Sequence, residues 1–106
     1  MDHIIDLTSV VQYEVEDYAR GETFGGVTYP LSDTGKQTYA VYIVPEQPRK
    51  THATVVVAAR IVNDKVIIDE DITDRPLWEE LVRAGIPREQ IVLAYAGEKL
   101  PDQPNS

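Results

Sequence analysis

The chain has 106 residues and sets 18 acidic side chains against 10 basic ones, a formal charge of -8 at pH 7. With 42% hydrophobic residues it can bury a core, so it is neither a disordered acidic tail nor longer than one ordinary domain. The shortage of cations is even, with 8 acids and 4 bases in residues 1–53 and 10 and 6 in residues 54–106. Neither half offers the clustered Lys and Arg that displaces counterions from a nucleic-acid backbone. The absence of cysteine removes disulfides, thiolate metal sites and cysteine nucleophiles.

Ile4, Leu7, Val11 and Tyr18 recur near helical spacing among Asp6, Glu14 and Asp17. This predicts an amphipathic first helix with an acidic outer face, ended by Gly21. Val27–Thr28–Tyr29 reads as a short strand, confined to an edge by Pro30, and Ser32–Asp33–Thr34–Gly35 as a turn. Thr38 to Val44 is β-branched and aromatic and predicts a second strand. A loop follows at Pro45–Glu46–Gln47–Pro48–Arg49–Lys50, then a long strand from Ala53 to Val62. Its apolar run Val55–Ala59 suggests a central strand covered on both faces. Asn63–Asp64 stands between Ile61–Val62 and Val66–Ile67–Ile68. Two residues that tolerate positive φ, set between apolar runs, predict a tight hairpin.

Thr73 or Asp74 can cap a second helix that has Pro76 in its first turn. Leu77, Trp78, Leu81 and Val82 form its apolar stripe, and Gly85, Ile86 and Pro87 its stop. Arg88–Glu89–Gln90 makes a turn before a last strand over Ile91–Tyr95, which a helical crossover can lay parallel to its neighbour. The expected fold class is therefore α+β: an antiparallel β-meander of about four strands plus a fifth C-terminal strand, with two helices packed on the sheet. One domain is expected over residues 1–96, with a flexible C-terminal tail over 97–106. The start Met1–Asp2–His3 has no basic, apolar leader, and Val55–Ala59 falls far short of the roughly 20 apolar residues that span a bilayer. A cytoplasmic protein without membrane contact is expected.

The densest acidic group is Asp69–Glu70–Asp71 with Asp74 close behind. A strand end beside a helix start can converge Asp69, Asp71 and Asp74, with Glu79 as a further ligand, on a hard cation, as in a metal-dependent hydrolase. The plainer reading is a solvated strand end with Asp74 capping the helix. His3 and His52 have no serine nucleophile near them in sequence, and Gly21–Gly25 lacks the lysine of a phosphate loop. Tyr39 and Tyr42 point to opposite faces of their strand; with Arg49–Lys50 as the one basic pair nearby, core packing is preferred over stacking on bases. Trp78 reads as a core residue, and also as the type of residue that anchors interfaces. No catalytic set and no cofactor follow from these residues.

Ile61 to Ile68, the acidic Asp69–Glu70–Asp71–Ile72–Thr73–Asp74, and Glu80 to Tyr95 resemble the XisI family, controlling factors for excision of the fdxN DNA element in cyanobacteria. The stretch Leu81 to Leu93 is similar to that family's motif Leu-Val-x-Ala-Gly-Ile/Val-Pro-x-x-x-Ile-Val-Leu. Arg75–Pro76–Leu77–Trp78 departs from its usual Gly-Ile-Ala-like stretch. The resemblance implies a non-catalytic accessory role in site-specific DNA rearrangement, beside a companion XisH-like protein or a recombinase. It supplies no catalytic residues.

With the charge, this reads as a regulatory protein that contacts a nuclease-like or recombinase partner, an antitoxin-like inhibitor of a basic nuclease being one version. An acidic surface suits a basic partner. Arg75, Trp78 and Glu79 are the candidate contact residues. Direct DNA binding through Arg49, Lys50 and Arg60 is not expected. A homo-oligomer, most simply a dimer, is expected through an edge strand such as Val27–Tyr29 or Ile91–Tyr95.

Overall fold

A computed structural model describes residues 6–20, 25–46 and 52–100. Helix α1 spans Leu7–Asp17, and strands β1 Gly26–Asp33, β2 Thr38–Pro45, β3 Thr54–Val62 and β4 Lys65–Asp71 follow. Helix α2 is Leu77–Arg83; a 3-10 turn at Arg88–Gln90 leads into β5, Ile91–Leu93, and a second at Ala94–Ala96 follows it. The sheet order is β1-β2-β3-β4-β5. The first four strands are antiparallel and β5 lies parallel to β4.

Asp6 caps α1, its carboxylate accepting from Ser9 N and Ser9 Oγ, so this acid belongs to the helix start and not to the outer face. Ile4 and Gly21 lie outside the described residues. The hairpin forms at Asn63–Asp64, with φ of 51° and 64°, both in the left-handed region that a two-residue turn demands. The α2 stop is also as expected. Gly85 takes φ 110°, its N–H donates to Val82 O, Ile86 N–H donates to Leu81 O, and Ile86 is buried.

Three boundaries differ from the sequence reading. Strand β1 runs on through Pro30 to Asp33. Gly25 O accepts from Glu46 N, so alternation turns the odd-numbered residues of β1 toward β2 and the even-numbered ones toward the free edge. The missing N–H of Pro30 thus costs no ladder bond. Gly26 is fixed by close approach, since a Cβ there would lie 2.4 Å from Val44 O. Strand β4 continues to Asp71, with Glu70 opposite Ala58 and Asp71 opposite Val57. The last strand stops at Leu93, and Tyr95 sits in a 3-10 turn. Within the stretch read as a tail, Glu98 N donates to Leu93 O and Glu98 Oε1 accepts from Leu93 N.

Val11 and Val15 of α1 and Leu77 and Leu81 of α2 are buried on one face of the sheet, with Tyr39, Val41, Val57, Ala59, Ile61, Val66, Ile68, Ile91 and Leu93 beneath them. Both helices lie on this face. β3 is central, as read, but its other face carries no helix among the described residues, and Val55 is exposed there. Its apolar run serves the core on one side and an open sheet face on the other. Register puts Val27, Tyr29 and Leu31 of β1 beside Val44, Tyr42 and Ala40 on that open face.

Candidate functional site

The acids around the β4–α2 connection do separate jobs. A β-bulge between Ala58 and Ala59 leaves Asp69 as the extra residue of β4. Its carboxylate takes a bidentate pair from Arg60, Nε to Oδ2 at 2.7 Å and Nη2 to Oδ1 at 3.2 Å. Asp71 turns the other way. Its Oδ1 accepts from Thr73 N at 3.0 Å and Thr73 Oγ1 at 2.6 Å, and its Oδ2 from Leu77 N at 2.7 Å. Asp71 therefore caps α2 from six residues upstream. Of Thr73 and Asp74, the two residues read as that cap, Thr73 turns its hydroxyl to Asp71 and Arg75 O, and Asp74 is exposed with no bond to the helix start. Asp69, Asp71 and Asp74 are not brought to one point, and among the described residues no three His, Asp or Glu side chains converge as a cation site. Lys65 Nζ donates to Glu89 O.

On the helix layer, Asp17 joins the end of α1 to the start of α2. Its Oδ1 takes Arg20 at 3.0 Å and its Oδ2 takes Arg75 at 3.2 Å. Both guanidinium groups also lie over tyrosines, Arg20 over Tyr13 at 4.5 Å and Arg75 over Tyr18 at 4.3 Å. Tyr18 Oη donates to Arg75 O. Burial pushes the Tyr18 hydroxyl up to about 12, so it remains a donor at any physiological pH. The Arg20 hydrogen bond, with help from Arg75, holds the Asp17 carboxyl below the usual range.

Arg83 pairs with Glu80 at 2.8 Å. Each of Arg20, Arg75 and Arg83 is thus bound to an acid, while α1 carries Glu14, Glu16 and Asp17 and no base. Glu79 is exposed at the start of α2. Trp78 is half-buried against the core, with Arg88 at 5.3 Å from its ring, and Arg88 is held by Glu98 at 2.9 Å. The outcome is a net acidic helix layer in which Arg75, Trp78 and Glu79 belong to one short segment. The role of Asp17 as a bridge went unseen in the sequence, because its partner Arg75 is 58 residues away.

Of the other candidates, His3, Arg49 and Lys50 lie outside the described residues. Arg60 is committed to Asp69. Tyr39 and Tyr42 do point to opposite faces: Tyr39 is buried in the core, whereas Tyr42 stacks on Tyr29 across the open face at 5.3 Å. Core packing therefore holds for Tyr39 alone. No described helix is long and apolar enough to cross a membrane.

Glu14 gives a pH-dependent expectation. Desolvation, then the nearby Glu80 and Asp17, raise its carboxyl above the ordinary 4.5. A raised folded value means that the stabilising protonated form is fully present below the unfolded value and lost as pH rises through the folded one. Glu14→Gln should therefore raise the melting temperature at pH 7 by about 2 °C and leave it unchanged at pH 4, as thermal unfolding at the two pH values will report.

A family model described as XisI protein matches residues 1–102. No curated protein matches the sequence. Among solved structures, a XisI-like protein from Anabaena variabilis is 28% identical, with a TM-score of 0.72 and 82% of each chain covered. The fdxN element excision controlling factor XisI from the same organism is 21% identical, with a TM-score of 0.68 over 84% of this chain and 83% of its own. At that identity, the second likeness speaks for the fold.

Proposed function

Because the chain belongs to the XisI protein family, we propose that it is a non-catalytic accessory protein controlling excision of a DNA element of the fdxN type. It works through contact with another protein and not through DNA directly. The observation that carries this reading is the helix layer, where α1 has three acids and no base, Arg20 and Arg75 share Asp17, and Arg83 pairs with Glu80. Such a surface repels phosphate and steers a basic protein toward it. The partner is a companion XisH-like protein or a recombinase, and Arg75, Trp78 and Glu79 lie at the contact. Trp78 supplies apolar area beside the charged groups, the composition of an interface anchor.

The test is a binding titration of the purified chain with a XisH-like companion and, separately, with duplex DNA. Binding to the companion should weaken about tenfold between low and physiological salt, since steering between exposed charges is screened. Glu79→Lys should weaken it further, with unchanged circular dichroism. Companion binding that ignores both salt and Glu79→Lys, or tight retention on DNA by the chain alone, would sink the proposal.

A further inference from the structure

The sheet face opposite the helices carries no helix among the described residues, and while Ile67 of β4 is buried there, its β1–β2–β3 part is apolar and exposed. Val27 is 55% exposed, Tyr29 43%, Leu31 51% and Val55 36%, and all four flank Tyr42 through the β1–β2–β3 register. A depression of about 270 Å³ opens between Leu31, Tyr42 and Val55. With its half-buried neighbours this face exposes on the order of 500 Å² of apolar surface, at the upper end of what a monomer carries. Doubled across a two-fold axis it reaches about 1,000 Å², the threshold for a specific interface.

We infer that this face is a homodimer interface, each chain laying the β1–β2–β3 surface of its sheet on that of a second copy. Charge selects the occupant. Two chains at -8 repel one another over most of their surfaces, and the acidic helix layer repels most. The charged side chains that strand alternation places on the open face, Arg60 and Lys65 against Asp33, Asp69 and Glu70, sum to only -1, and Arg60 and Asp69 are already paired. Two copies can therefore meet here with far less like-charge repulsion than through the helix layer, and an apolar face is complementary to itself. Pairing through the β1 edge, one of the two edges suggested by the sequence, is the poorer route, because Pro30 lies in β1 with its missing N–H on the free edge, where an added strand needs a donor. This inference is independent of the partner proposed above: it uses the opposite side of the sheet and predicts the opposite salt response.

Sedimentation equilibrium of the full chain should give about 24 kDa, twice the 11.9 kDa of one copy, with an affinity that raised salt does not weaken. Leu31→Glu places like charges across the axis and should weaken association about a hundredfold with an unchanged circular dichroism spectrum. Should that variant lose its spectrum, Val27→Glu at the other end of the strand gives the same reading. Ser32→Pro removes an N–H on the free edge and should leave the dimer intact. A monomer at every concentration overturns the inference. So does a dimer that survives Leu31→Glu, or one abolished by Ser32→Pro, which would place the contact on the edge.

Discussion

Leu81→Ala should destabilise the protein by about 3 kcal/mol, within the range for emptying a sealed leucine site. Leu81 is fully buried on α2, in the same cluster as Val11 and Val15 of α1 and the core side chains of the sheet. Its site borders two helices and the sheet at once, so no single element can shift to fill the space. Loss of buried area and an unfilled cavity add. For a chain of this length that is a fall of about 10–20 °C in melting temperature, a large part of the stability of an ordinary domain. Val82→Ala, one residue along and exposed on the same helix, should change the midpoint little. Thermal or urea unfolding of the two variants makes the comparison, and similar losses at both positions would contradict the placement of α2.

The second large effect belongs to a polar residue. Asp71→Ala should cost about 2–3 kcal/mol, more than an ordinary helix cap, because it leaves the Leu77 N–H and both Thr73 donors without their carboxylate. Those bonds fix where β4 ends and where α2 begins. Asp71→Asn keeps the shape and one acceptor oxygen and should lose about half as much. Asp74→Ala, at the exposed position, should lie within about 0.5 kcal/mol of the parent. Urea midpoints rank the three variants, and a loss at Asp74 equal to that at Asp71 would return the cap to the residue nearer the helix.

These two positions show what the sequence does and does not reveal. The hairpin at Asn63–Asp64 and the stop at Gly85–Ile86–Pro87 were legible because their backbone demands are local: a positive φ and a residue that tolerates it. The cap on α2 was not, because Asp71 acts across six residues through a bent connection, outside the one-to-three-residue reach of ordinary capping patterns. The length of β1 was hidden for a different reason. Pro30 stops a strand only where its N–H would face a neighbour, and which way it faces depends on the sheet order. Tyr42 was misplaced because a face without helices cannot be told from a covered one by apolar content alone; Val55 to Ala59 looks the same in both. The acidic helix layer was visible as composition, but the pairing of Asp17 with Arg75 needed the fold to bring distant residues together.

In this sheet each strand's neighbour in space is also its neighbour in the chain. The β1–β2 and β3–β4 ladders can each close over a turn of two to four residues as the polypeptide emerges, at little loop entropy. Helix α1 is made first but has nothing to bury Val11 and Val15 against until β2 and β3 exist, so its docking waits on the meander. Strand β5 differs, since its parallel pairing with β4 needs the whole α2 crossover in place. It is short, at an edge and last to assemble, adding Ile91 and Leu93 to a core that the first four strands have already begun. The segment from Asp71 to Glu98 thus completes an otherwise self-assembling scaffold. A protein that grips it stabilises the step the chain completes last.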